Sequence, residues 1–248
     1  MSFRILISYF LLLVALPSYA QVPKYFINEI GGEVYDRNNF TFANTAEGRF
    51  GVYYFGMSEG ELQLVIIKNG VNAIVQIWTG EWVNDTETGD LMRKESCKTF
   101  NNAILKKNKI LFGRYCGTFA DYTGSGKIEK ALLLDGDVAY SGRRYKGDTV
   151  DVGTYSSIES IPQKDAGDYQ LSLAIKTASY FRGKSKQELK IMRNAIYAKY
   201  GFIFQKDGEM DAYFRKKTWY QPFHKEVSDC LTTIEKKNIQ TLARLEQL

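Results

Sequence analysis

Between residues 50 and 140 the apolar positions come in short runs separated by Gly, Asn and Asp. Val52 and Tyr54, then Leu62, Leu64 and Ile66, alternate with their neighbours as the residues of half-buried strands do. Lys68-Asn69-Gly70 sets an Asn-Gly pair between two such runs, the strongest short-range hairpin signal, and Val75, Ile77 and Trp78 carry the returning strand. After a polar loop from Asn84 to Asp90, further short runs at Ala103–Leu105, Ile110–Tyr115, Lys130–Leu134 and Val138–Tyr140 keep the spacing. No internal repeat of constant period underlies them. The pattern predicts an antiparallel, β-rich domain: a meander curling into a partial barrel or a sandwich.

Past residue 170 the period changes from two to three and four. Ser185-Lys186-Gln187-Glu188 has the spacing of a capping box, and the helix it opens puts Leu189, Met192 and Ile196 on one face. Gly201 is placed to end that helix in the left-handed region. Phe202 and Phe204 follow as an extended pair, and Met210, Tyr213 and Phe214 mark a second short helix. Thr232 and Glu235 repeat the capping-box spacing before a last helix striped by Ile234, Leu242 and Leu245. The fold class is therefore α+β: a β-rich domain over 21–165 and a small helical domain over 170–248, with the boundary in the Pro162–Asp168 segment.

The first twenty residues stand apart. Arg4, an apolar run from Ile5 to Leu16, the helix-breaking Pro17 and the small residues of Ser18-Tyr19-Ala20 make an export signal cleaved after Ala20. The run is shorter than the roughly 20 residues of a membrane-spanning helix, and no cysteine follows it to carry a lipid. No later segment is long and apolar enough to span. The expected mature chain is soluble and exported, to the periplasm or the extracellular space.

Charge divides the chain unevenly: residues 21–164 carry a net −1 and residues 165–248 a net +5. A basic helical module suits anionic envelope polymers, although a solvated helical surface accounts for the same charge. Cys97 and Cys116 bracket an apparent hairpin, so the expected disulfide joins them and leaves Cys230 free; three reduced, buried thiols are the alternative.

Signals for catalysis are sparse. His224 is the only histidine, and no metal-binding spacing of histidines or cysteines occurs. Gly124-Ser125-Gly126-Lys127 has half of a phosphate loop but Ile128 where a Ser or Thr would hold magnesium, and it sits between strands as a tight turn. Asp135-Gly136-Asp137 lacks the downstream glutamate of a calcium loop. No metal and no cofactor are expected.

Several landmarks of the helical part together resemble the YARHG domain, a module of exported bacterial proteins. They are Arg193-Asn194-Ala195-Ile196-Tyr197-Ala198-Lys199-Tyr200-Gly201, Phe202-Ile203-Phe204, Tyr213-Phe214, Trp219-Tyr220-Gln221-Pro222 and Glu235-Lys236-Lys237-Asn238. Lys199 stands for the arginine of the namesake motif and Tyr200 for its histidine. The resemblance implies export and a helical fold but no reaction. Two roles fit the motif residues. Arg193, Asn194 and Asn238, with Gly201 ending the helix, would form a buried network that fixes how the helices pack. Alternatively, Tyr197, Tyr200, Trp219 and Tyr220 would line a groove for sugar or peptide. The functional expectation is an envelope-associated protein that binds or docks through this module, its partner an envelope polymer or envelope protein and not a nucleic acid. The alternative is a hydrolase of envelope glycan or peptide using paired carboxylates of the β-rich domain.

Overall fold

The computed structural model describes residues 25–28, 33–56, 62–84, 89–135 and 149–248. The export signal, the Val138–Tyr140 run and Gly136-Asp137 lie outside them.

Eight strands follow one another as an up-and-down meander: β4 (Gly51–Tyr54), β5 (Leu62–Asn69), β6 (Asn72–Asn84), β7 (Leu91–Lys106), β8 (Lys109–Phe112), β9 (Tyr115–Tyr122), β10 (Glu129–Asp135) and β11 (Thr149–Ser156). Each pairs antiparallel with the next, and β11 returns to pair with β4 through Thr154↔Tyr54 and Ser156↔Val52, so the sheet closes into a barrel. Closure removes the exposed edges that an open meander would leave. Three short strands finish the rims. β1 (Tyr25–Asn28) runs parallel to β11 and carries β2 (Glu33–Tyr35), while β3 (Phe40–Phe42) pairs with the end of β9. The expected hairpin forms at Gly70-Val71, flanked by the Asn69↔Asn72 pair, with Gly70 at φ 63°.

Tyr53, Phe55, Leu62, Leu64, Ile66, Phe119 and Leu132 are fully buried within the barrel. On β4 to β6 the opposite face is apolar too: Val52, Val65, Ile67, Ile74 and Trp78 are buried against the helical module. This two-sided burial corrects the simple alternation read from sequence. Val52 and Tyr54 face the helices, and the intervening Tyr53 turns inward with Leu64. The Ile110–Tyr115 run is likewise two strands, broken at Gly113, where φ is 54°.

That break also undoes the expected Cys97–Cys116 bridge. A single hairpin would have set the two cysteines nearly opposite one another. Instead β8 ends at Phe112, so Cys116 lies on β9 opposite Leu111 and Asp135, while Cys97 lies on β7 opposite Trp78. All three cysteines are free thiols.

The helical module comprises α1 (Gln170–Leu173), α2 (Lys186–Ala198), α3 (Glu209–Phe214) and α4 (Thr233–Gln247). Both capping boxes form as expected, Ser185 with Glu188 and Thr232 with Glu235. α2 is buried on two sides. Leu189 and Ile196 join the core shared with the barrel, and Ala195 and Ala198 join an aromatic cluster of Phe204, Phe214 and Tyr220. Gly201 follows the helix at φ 69°, and a Cβ there would stand 2.7 Å from the carbonyl oxygen of Gln221, so the close approach requires glycine. Among the described residues, no helix is long and apolar enough to cross a membrane.

Candidate functional site

The turn that follows α2 delivers two polar side chains into the seam between module and barrel. Lys199, 7% exposed, donates to Glu235 Oε1 at 2.6 Å and to Ser172 Oγ at 2.7 Å. The Tyr200 hydroxyl donates to Glu235 at 2.9 Å and accepts from Gln76 Nε2, on barrel strand β6, at 2.8 Å. Gln76 Nε2 also reaches the Cys230 carbonyl at 2.9 Å. The Tyr200 ring stacks on Trp78, centroids 5.3 Å apart. Glu235 and Gln76 are fully buried.

Glu235 is the hub because it is the third residue of α4. Its Oε2 completes the capping box by accepting from Thr232 N at 2.9 Å, and its Oε1 accepts from Ser172 Oγ at 2.7 Å. Burial alone would push its carboxyl above the ordinary 4.5, but the Lys199 charge and the bonds from Lys199, Ser172 and Thr232 outweigh burial and hold it lower. Burial and the Glu235 charge push the Tyr200 phenol well above 10, so it stays a neutral donor. Both carboxylate oxygens are thus engaged inside the protein. The arrangement acts as an electrostatic clasp between α2, α4 and the barrel, and its groups hold one another instead of an incoming proton or substrate.

The three residues expected to share one network are placed in three separate arrangements. Arg193 forms a fork on Glu246, with Nε at 2.6 Å and Nη2 at 3.0 Å. Asn194 bonds back to the Lys190 carbonyl at 2.8 Å. Asn238, fully buried, accepts from Lys176 N and donates to the carbonyls of Leu171 and Ala174, which ties α1 to α4. The Arg193 pair is partly solvated, so Arg193→Ala is expected to cost about 1 kcal/mol, seen as a small drop in melting temperature.

The four aromatic residues expected to line a groove are likewise divided. Tyr200 and Tyr220 are buried, Tyr220 donating to the Phe202 carbonyl at 2.7 Å; Tyr197 packs on Phe202. Trp219 is half-buried and, together with Tyr200, borders a cleft beside the clasp. Trp78, Phe223, Glu95 and Gln221 also contribute to this cleft, whose enclosed volume is about 20 Å³, room for one water-sized group. The Trp78 indole N–H is buried and has no partner among the described residues. His224 stands nearby, its Nε2 2.7 Å from the Glu95 carbonyl.

Gln76, Trp78 and Ser172 carry no sequence signal for this site, because they lie on other elements and meet Lys199 and Tyr200 only through the packing. Glu235 had a signal, as the third residue of a capping box within the quoted landmarks. No curated protein and no solved structure matches the chain. Residues 168–247 match the family model of the YARHG domain, and the barrel lies outside that match. The module that places Lys199 and Tyr200 in the seam is therefore similar, over nearly its whole length, to the YARHG domain.

Proposed function

We propose that this is an exported, envelope-associated protein that acts by binding. In this view its YARHG-like module is docked on its own barrel by the clasp, and the cleft beside the clasp meets a glycan or peptide of the envelope. The observation that carries the proposal is that Trp78, whose buried indole N–H has no partner among the described residues, lines the same cleft as Trp219 and Phe223. A buried donor left unbonded costs about 1–3 kcal/mol, which an acceptor from outside would restore. The enclosed space admits a single hydroxyl or carbonyl, not a ring, so the body of such a ligand would lie on the aromatic faces at the mouth. Export is supported by the N-terminal pattern, and the basic surplus of the module suits an anionic polymer.

The test is sedimentation of the purified protein with peptidoglycan and with outer-membrane fractions. Retention on one of them is expected, weakened about tenfold by Trp219→Ala and Gln221→Ala at temperatures where both variants remain folded. Retention by neither fraction, or retention that ignores both substitutions, would remove the cleft from the function. Turnover of a glycan panel by the same protein would replace binding with hydrolysis.

A further inference from the structure

The segment leading into α4 runs alongside β7. Thr99 N donates to the Asp229 carbonyl at 3.0 Å, Thr99 Oγ1 donates to the Cys230 carbonyl, and Thr233 N donates to Asn101 Oδ1 at 2.6 Å. This backbone approach sets Cys230 beside Cys97. The Cys230 thiol donates to the Cys97 carbonyl oxygen at 3.0 Å, and Cys97 lines the cleft described above. Cys116 is remote in register from both, on β9 between β8 and β10.

We infer that Cys97 and Cys230 are a disulfide site that fastens the helical module covalently to the barrel. Their backbones are tied together by the Thr99 bonds, and the Cys230 thiol already reaches the Cys97 carbonyl, so the two side chains lie within reach of one another. The two thiols also interact with each other. Burial raises Cys97 well above the ordinary thiol value, and the Cys97 thiol, acting against burial, holds Cys230 below it.

This asymmetry fits a two-step exchange with a low-molecular-weight disulfide as the oxidant. Cys230, the more readily ionised thiol, attacks one sulfur of the oxidant as its thiolate, forming a mixed disulfide and releasing one thiolate. Cys97, held beside it, then loses its proton, attacks the Cys230 sulfur and expels the second thiolate. Two protein thiols and one external disulfide become one protein disulfide and two external thiols, so the oxidant accepts both electrons and the protons balance.

The experiment incubates the purified full chain with oxidised glutathione, alkylates it under denaturing, non-reducing conditions and maps the tryptic peptides. The expected species links residues 95–98 to residues 226–236 and leaves the Cys116 peptide, residues 115–127, alkylated. Two of the three thiols are lost to alkylation, reductant restores them, and the oxidised form melts several degrees higher. Cys116→Ser should change none of this, whereas Cys230→Ser should abolish the linked species. Three alkylated thiols after oxidation, or a bridge that includes Cys116, would overturn the inference.

Discussion

Lys199→Ala is expected to destabilise the protein by about 3–5 kcal/mol, because it leaves Glu235 charged and buried without its counter-ion. Glu235 is fully buried and also completes the capping box of α4 with Thr232, so the damage is not confined to one bond. Lys199→Met, which keeps the apolar stem, should lose nearly as much. Combining Lys199→Met with Glu235→Gln should recover part of the loss, since an amide tolerates burial better than an unpaired carboxylate. Chemical denaturation of the four proteins measures this, and single variants within about 1 kcal/mol of wild type would mean that the clasp does not hold the seam.

The same carboxylate predicts an acid limb. Its folded-state value lies below the ordinary 4.5, so its contribution is complete above the unfolded value and is lost as pH falls through the lower, folded one. Stability of the wild type should decline below about pH 4.5 more steeply than that of Glu235→Gln.

Separating the two parts of the chain should be equally damaging. Residues 21–165 produced alone would expose Val52, Val65, Ile67, Ile74 and Trp78 as one patch on the outside of the barrel. At about 1.5–3 kcal/mol for each large side chain, the lost burial approaches the whole stability of an ordinary domain. The fragment is expected to aggregate, and co-production of residues 166–248 should rescue it into a soluble complex. A monomeric barrel fragment as stable as the full chain, by light scattering and thermal melting, would show that the shared core is dispensable.

What could be read from the sequence followed local chemistry. Both capping boxes, the Gly70 and Gly201 positions and the helical stripes depend on neighbours within a few residues, and each stands where spacing placed it. The closure of the barrel could not be read, because Thr154↔Tyr54 joins residues a hundred apart with no local mark. Apolar spacing marks β7 only at its end, Ala103–Leu105. Arg93 to Lys98 is mostly polar because the strand passes along the seam and rim, where few of its side chains are deeply buried. The apolar run on β5 was legible as a strand, but its two buried faces needed the helices in place. Lys199 and Tyr200 were singled out by resemblance, whereas their partners Gln76 and Ser172 look like any surface residue in a one-dimensional pattern.

The shared core also has a temporal side. The barrel strands end at Ser156, yet the outer face of β4 to β6 is covered by side chains that include Val227, Ile234 and Leu242. At about 5–20 residues per second of synthesis, that cover arrives several seconds after the last barrel strand. Until then the nascent chain presents a sticky apolar wall, and a newly closed barrel has nothing to shield it from its neighbours. A chain built this way is best kept unfolded until Glu235 has emerged, which is the state that threading through a narrow export channel also demands.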